Sequence, residues 1–130
     1  VVIANQTLKR DFRYSIKRHG GMLAKGRLLG IQFATLFADG LYMQISRHAI
    51  AQAMRIRQAL QAQGIPFLID SPTNQQFPIL SYEQIEQLKG EFSFDDYGPA
   101  DENHRYVRFC TSWATTDENV AAFLADVAAL

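Results

Sequence analysis

The chain has 130 residues, of which 48% are hydrophobic and 12% aromatic, so it can bury a core and has the composition of one ordinary globular domain. Its 13 lysines and arginines balance 13 aspartates and glutamates, which excludes a global charge that would draw the whole chain to nucleic acid or to a membrane. The charges are nevertheless segregated. Residues 1–27 hold seven basic residues against one acid, whereas residues 71–130 hold three against ten. This segregation is the first indication of function.

The single cysteine, Cys110, cannot form an internal disulfide, so we expect a reducing, cytoplasmic compartment. No run of apolar residues approaches the roughly 18 that a membrane span needs. The start VVIA is too short for a signal peptide and leads into a basic stretch. Because the first residue is a valine in an apolar, strand-like stretch, we expect the chain to be a piece of a longer protein.

The first predicted elements are a buried strand and a basic helix. Val1–Ala4 is apolar and β-branched, as in a buried strand. Asn5 then offers a helix cap, and Leu8, Phe12 and Ile16 fall on one helical face. The remaining surface of this helix is basic through Lys9, Arg10, Arg13, Lys17 and Arg18.

A second helix is predicted after a glycine pair. Gly20 and Gly21 end the basic helix, and helical spacing of apolar residues resumes over residues 22–37. Gly26 and Gly30 lie four apart in this pattern, which permits a close approach of a neighbouring element at about 1 kcal/mol each relative to alanine.

The most regular helical pattern covers residues 41–63, and Gly64 is expected to close that helix in a left-handed conformation. Two short strands are then predicted over residues 65–70 and 75–80. The segment that joins them, Ser-Pro-Thr-Asn, has the residues that favour a turn.

Ser81 and Thr115 each open a predicted helix, because each is followed three residues later by Gln or Glu, as in a capping box. Strands are predicted between these helices over residues 92–94 and 106–111, and the last helix runs to Leu130. The order of strand, three helices, two strands, helix, two strands and helix indicates an α+β or α/β protein that is entered through long helices.

The basic N-terminal segment allows three interpretations. It is a solvated helix face, an anion site or a nucleic-acid-binding helix. The anion site would use the helix N-terminus after Gly20 and Gly21, with Lys17, Lys25 and Arg27 close in sequence. A compact phosphate fits this pattern better than a duplex does, because the acidic second half would repel an extended polyanion.

Arg108 is the second candidate functional residue. Alternation in the predicted strand places Val107 and Phe109 on one face and Arg108 on the other. A guanidinium in the middle of an apolar strand is costly unless it is paired. Its partner is therefore either a structural acid, for example from the final helix, or the carboxylate of a substrate, which the arginine fork fits well.

Other chemistry has little support in the sequence. His19, His48 and His104 lack the spacing of metal ligands, so no metal site is expected. Cys110 has no base near it in sequence, which favours a packed thiol over a nucleophile. No phosphate-binding loop or dinucleotide fingerprint occurs.

Three segments carry a resemblance to a known family: GGMLAKGRLLGIQFATLFADGLY (residues 20–42), SPTNQQFPIL (71–80) and RYVRFCTSWATTDENV (105–120). Together with the initial VVI and the basic helix after it, they resemble the C-terminal part of the threonine aldolase/β-eliminating lyase family. Members of that family are pyridoxal-phosphate enzymes of fold type I. The resemblance spans nearly the whole chain in the order of the family.

The resemblance implies two domains of an α/β enzyme. Residues 1–39 would be the end of the large cofactor-binding domain, with Val1–Ala4 as a closing strand of its sheet, followed by linking helices. Residues 40–130 would be the C-terminal small domain. That α+β domain would have a small mixed sheet with helices packed on one face, entered through the long linking helices.

The resemblance also implies pyridoxal phosphate as the cofactor, bound mainly by an N-terminal part of the enzyme that precedes this chain. In the family a lysine of that part binds the cofactor covalently. Lys9, Lys17, Lys25 and Lys89 do not lie in its motif, so none of them is assigned this role, and the chain alone is expected to be inactive.

Site residues follow from the resemblance by position. Arg108 matches the residue that binds the substrate α-carboxylate. Lys17, in Lys-x-x-Gly-Gly, matches a basic position near the cofactor phosphate that is reached across the dimer interface. Some members instead have an arginine soon after the glycine pair, where this chain has Leu23, so Lys25 or Arg27 are alternatives. No catalytic residue or metal ligand is assigned.

The implied activity is that of a low-specificity L-threonine aldolase, the retro-aldol cleavage of a β-hydroxy amino acid to glycine and an aldehyde. The partners would be a small amino-acid substrate and further copies in a homodimer or homotetramer, without nucleic acid or membrane. Two alternatives remain. One is a β-eliminating lyase of the same family, and the other is a non-catalytic module that binds anions or proteins.

Overall fold

The computed structural model describes residues 2–130, and the chain divides into two compact units between Leu41 and Tyr42. The first unit is helical and the second contains helices and a sheet. The assignment of residues 1–39 and 40–130 to a large and a small domain stays a prediction.

The first unit begins irregularly. Val1 lies outside the described residues, and residues 2–4 form no strand, so the predicted strand over Val1–Ala4 is absent from the part that is described. Asn5 caps the next turn as predicted, because its side chain accepts a hydrogen bond from the Thr7 amide at 2.9 Å.

The predicted basic helix is split in two. A 3-10 helix, Gln6–Lys9, is followed by helix α1, Phe12–Arg18. The break is at Asp11, whose left-handed backbone (φ 54°) cannot continue a right-handed helix. The apolar spacing therefore indicated helix correctly, but the left-handed backbone of Asp11, one of the two residues between the pieces, interrupts it.

Helix α2, Arg27–Phe37, begins five residues later than predicted. Residues 24–26 form a turn, and the residue at the N-cap of the helix is Gly26, so no side chain caps it. Apart from its chain neighbours and the backbone of its own helix, no atom of the described residues would lie within 4 Å of a Cβ placed on Gly30. Among the described residues, no neighbouring element therefore makes the close approach that this glycine permits.

The helical region Arg27–Ala62 is long and apolar enough, by length and composition, to cross a membrane. No such region was predicted from the sequence, because it contains no continuous apolar run of the required length. Length and composition alone are a weak indication, because the core helix of a water-soluble domain meets the same criterion. The region is also broken at Asp39 (φ 51°) and Gly40 (φ 71°), where the backbone is left-handed.

The long helix α3, Leu41–Ala62, follows this break. It is confirmed close to its predicted bounds, and Gly64 follows it with φ of 75°, the left-handed conformation that glycine adopts most readily. The rest of the chain forms strand β1 (Gln75–Gln76), strand β2 (Ile79–Ser81), helix α4 (Tyr82–Leu88), strand β3 (Asp95–Pro99), strand β4 (His104–Cys110) and helix α5 (Asp117–Val127).

The predicted strands were partly wrong. Residues 65–70 form no strand and contribute one isolated bridge, between Phe67 and Pro78. Residues 75–80 are divided into β1 and β2 at Pro78, because proline has no amide hydrogen for the ladder. Instead of the strand predicted over residues 92–94, the structure has β3, which begins three residues later.

Strand β4 is the centre of the sheet. It pairs antiparallel with β1, with β2 and with β3. Every pairing of the described strands is antiparallel, so the mixed sheet that was expected is corrected to an antiparallel one. The broader fold class, helices with a small sheet in an α/β protein, is confirmed.

The core lies on one face of β4. Val107 and Phe109 are buried there, and helices α3 and α5 contribute Leu60 and Phe123 to the same cluster. The rings of Phe109 and Phe123 pack edge to face, with centroids 5.1 Å apart. The full buried cluster is Ile56, Leu60, Ile65, Leu80, Leu88, Val107, Phe109, Val120, Phe123 and Val127.

Two helix caps were predicted in the second unit. The capping box of Ser81 and Gln84 is confirmed, with both reciprocal hydrogen bonds present. The last helix is instead capped by Thr116, whose side chain accepts from the Asn119 amide at 3.2 Å. Thr115 is used differently, because its hydroxyl accepts from the Ser112 amide and shapes the preceding turn.

Candidate functional site

Arg108 lies on the face of β4 that is opposite the core. Val107 and Phe109 on either side of it are 1% and 7% exposed, whereas the Arg108 side chain is 32% exposed. The alternation predicted from the sequence is therefore present. It follows that the guanidinium is available to a ligand that approaches this face of the sheet.

The strand that carries Arg108 is fixed firmly at its end. The hydroxyl of Thr111, which is buried, donates to the Ala49 carbonyl of α3 at 2.6 Å. The Asn74 side chain donates to the Thr111 carbonyl at 2.7 Å. With partners on both edges of β4 as well, Arg108 is presented from a rigid element, as a precise binding residue requires.

The guanidinium of Arg108 is paired with Asp95 of β3. Nε and Nη2 donate to the same oxygen, Oδ2, at 3.0 and 2.6 Å. Hydrogen bonding to Asp95 is the main cause that raises the pKa of Arg108 above its usual value. The acid that pairs with Arg108 thus comes from the neighbouring strand and not from the final helix, as the sequence had suggested.

Tyr97 completes the surroundings of Arg108. Its ring centroid lies 5.6 Å from Arg108 Cζ, within the range of a cation–π contact. The ring is itself held by Phe77, whose centroid is also 5.6 Å away, in an edge-to-face arrangement. Asp95 and Tyr97 therefore restrain the guanidinium from two sides.

A second ion pair joins the same two strands. Arg105 Nε donates to Asp96 Oδ2 at 2.7 Å. The hydrogen bond from Arg105 lowers the pKa of Asp96, with a smaller contribution from the Gly98 amide. This pair has the same composition as Asp95–Arg108 but involves a different arginine, which makes it a natural control.

The predicted phosphate-binding cations all belong to the first unit. Lys17 lies in the last turn of α1, Lys25 precedes α2, and Arg27 is the first residue of α2. All three are exposed, and none forms an ion pair with another residue of the range 2–130. They remain candidates for an anion, since their charges are uncompensated within this range and Arg27 stands at a helix N-terminus.

The glycine pair between the two helices is partly constrained. Gly20 has a left-handed backbone with φ of 72°. A Cβ on Gly21 would lie 2.9 Å from Ile16 Cγ2, so the turn comes close to the end of α1. Along the sequence, Lys17 precedes this tight turn and Lys25 follows it.

Within residues 2–130, no group of three or more histidine, cysteine, aspartate and glutamate side chains could hold a metal ion. Two of the histidines make polar contacts with other residues of the chain. His48 Nε2 is hydrogen-bonded to the Thr115 carbonyl at 2.7 Å, and His104 Nδ1 lies 2.9 Å from Asp101.

Sequence reasoning identified Arg108 but missed Asp95 and Tyr97. The strand was predicted three residues too early, so neither residue was placed on it. The antiparallel register of β3 with β4, which the structure supplies and the local sequence does not, puts Asp95 directly opposite Arg108. Opposite charges at such cross-strand positions attract each other.

Solved structures give the informative comparison with known proteins. No family model matches the chain, and no curated protein matches it. Among solved structures, the threonine aldolase of Leishmania major matches it with 35% sequence identity and a TM-score of 0.90. The match covers 98% of this chain but 37% of that enzyme, so the chain spans little more than a third of the length of its solved neighbour.

Proposed function

Because the chain is threonine aldolase-like over nearly its whole length, we propose that it is the C-terminal part of a pyridoxal-phosphate-dependent lyase. The proposed reaction is the cleavage of a β-hydroxy amino acid, such as threonine, into glycine and an aldehyde. The observation that carries this proposal is the likeness to the Leishmania major enzyme in both sequence and structure.

In this proposal Arg108 binds the α-carboxylate of the amino acid. The carboxylate would meet the guanidinium on the exposed face of β4, and a bidentate pair would fix its direction. With the carboxylate fixed, the Cα–Cβ bond is held in the one orientation that allows it to break. Misplacement of reacting groups by about 1 Å can lower a rate by roughly 100-fold.

The cations of the first unit fit the cofactor phosphate in their chemistry. Lys17, Lys25 and Arg27 are exposed and unpaired among the described residues, and a dianionic phosphate is the kind of ligand that such groups bind. Pyridoxal phosphate, when bound, supplies an electron sink for the bond that breaks. The chain's own part is to hold that phosphate and the substrate carboxylate. The covalent lysine is assigned to the part of the enzyme outside this chain.

We expect Lys17→Ala, or Lys25→Ala if that residue holds the phosphate instead, to raise the dissociation constant of pyridoxal phosphate by at least about tenfold, since a charge-assisted hydrogen bond contributes roughly 1.5–3 kcal/mol. Fluorescence titration of the apo-enzyme measures this constant. Lys9→Ala is the matched control, because Lys9 is also an exposed lysine of the same basic segment. Unchanged affinity in both Lys17→Ala and Lys25→Ala contradicts the phosphate assignment.

The apolar surface of α2 supports a further part of the proposal, that the enzyme is a homodimer or homotetramer. Leu28, Phe33 and Phe37 are 64%, 62% and 65% exposed, and large apolar patches of this kind are commonly covered by another chain or domain. Light scattering on the complete enzyme tests the assembly, and a monomer contradicts it. The proposed location is the cytoplasm, where the exposed thiol of Cys110 would stay reduced.

The cofactor itself is tested by absorption spectroscopy of the complete protein. We expect a visible band from the lysine-bound cofactor that disappears on reduction with borohydride. A protein that neither binds pyridoxal phosphate nor shows this band would support the alternative of a non-catalytic anion-binding module.

A further inference from the structure

The contact between Asp95 and Arg108 uses one edge of the guanidinium and leaves another open. Nε and Nη2 both donate to Asp95 Oδ2, whereas Nη1 takes part in no hydrogen bond among residues 2–130. An arginine can bind a carboxylate along either of two edges, the side edge with Nε or the end edge with Nη1 and Nη2. Asp95 occupies the side edge, so the end edge is available.

We propose that Asp95 is a positioning residue that holds the side edge of Arg108 so that its end edge meets the carboxylate of the substrate. The inference deepens the proposed function and rests on it, because it assumes that Arg108 binds that carboxylate. Asp95 itself does not touch the substrate in this arrangement.

The geometry supports positioning in two ways. Asp95 and Arg108 are direct partners in the antiparallel register of β3 and β4, so their backbones are fixed relative to each other. The Tyr97 ring, 5.6 Å from Arg108 Cζ, limits rotation of the guanidinium on another side. A long side chain that would otherwise sample many rotamers is therefore largely ordered before the substrate arrives.

Removing Asp95 would have two opposing effects on substrate binding. It would free Arg108 to leave the binding orientation, which weakens binding in proportion to the time spent elsewhere. It would also remove a negative charge near the substrate carboxylate, which strengthens binding. Because the Asp95 side chain is 59% exposed, water screens that repulsion, and we expect the loss of order to dominate.

The expected signature is a change in KM without a change in kcat. Once the carboxylate has bound, it restores the orientation of Arg108 itself, so the later steps proceed from the same geometry. In Asp95→Ala we therefore expect KM for threonine to rise about fivefold, which is the order of effect of immobilising one flexible side chain. The dissociation constant of glycine, measured by calorimetry on the cofactor-loaded enzyme, should rise by the same factor.

Two further variants separate positioning from other roles. Asp95→Asn keeps an acceptor oxygen for Nε and Nη2 and loses only the charge, so it should restore KM to within about twofold of the parent. Asp96→Ala is the matched control, because Asp96 is the next residue of β3 and pairs with Arg105 instead of Arg108. We expect it to leave KM unchanged. If Asp95→Ala does not fold, Asp95→Ser removes the same contact and carries the same expectation.

Three results would overturn the inference: a KM in Asp95→Ala that stays constant or falls, an Asp95→Asn variant as impaired as Asp95→Ala, or an equal rise of KM in Asp96→Ala. The last would show that the ion pairs only fasten β3 to β4. The proposed function is tested separately, by glycine binding in the Arg108→Ala variant. If that variant loses glycine binding while Asp95→Ala keeps it, the carboxylate role stands and positioning by Asp95 is wrong.

Discussion

Replacing Arg108 by alanine in the complete enzyme is expected to lower kcat/KM for every amino-acid substrate by on the order of 100-fold or more. The side chain is the positively charged partner of an exposed ion pair on the sheet face opposite the core, and its loss removes both the attraction for the carboxylate and the control of its direction. Arg108→Lys should be nearly as impaired, because an ammonium is a point charge that cannot form the planar two-point contact.

Cofactor content and a neighbouring arginine provide the controls for this experiment. Arg108→Ala should keep pyridoxal phosphate, because the phosphate is assigned to other cations. Arg105→Ala removes an arginine from the same strand that pairs with Asp96 at 2.7 Å, and we expect it to retain most activity. Near-normal kinetics of Arg108→Ala would refute the carboxylate assignment.

The second large effect is expected in the core of the second unit. Leu60 lies near the end of α3 and is 0% exposed, within the cluster that joins α3 to β4 and α5. Truncation of a fully buried leucine to alanine removes its burial and leaves a cavity, at a cost of roughly 2–5 kcal/mol. We therefore expect Leu60→Ala to lower the free energy of unfolding by about 3 kcal/mol.

Urea unfolding of the protein, followed by circular dichroism, measures this loss. Leu68→Ala makes the same chemical change at a residue that is 43% exposed, so it should destabilise far less. Equal destabilisation by the two variants would mean that the cluster around Leu60 is not the stabilising core of this unit.

Features set by local chemistry were predictable from the sequence. The long helix α3 and its left-handed end at Gly64 follow from spacing and from one glycine. The capping box at Ser81 needs two residues only. The exposed face of Arg108 follows from simple alternation along one strand.

Features that depend on contacts between residues far apart in the sequence were not predictable from it. Residues 65–70 have the composition of a strand, yet they meet the rest of the sheet at a single bridge. Strand β3 contains Asp95, Asp96 and Gly98, residue types that are uncommon in strands, and it exists because β4 pairs with it. Composition therefore favoured the neighbouring phenylalanines and placed the strand too early.

The candidate site shows the same division. Arg108 was predicted as a candidate because alternation along its own strand places it on the face opposite the core. Asp95 and Tyr97 are recognised as its partners only from the register of β3 against β4. The basic segment was found from its charge, but Asp11 breaks its helix through a backbone conformation that the apolar spacing does not reveal.

The most direct test of the account is the product that the complete, cofactor-loaded enzyme releases from threonine. We predict acetaldehyde and glycine in equal amounts, with no pyruvate released from serine. Pyruvate from serine without acetaldehyde from threonine would identify a β-eliminating lyase, and the absence of both products would contradict the proposed enzyme altogether.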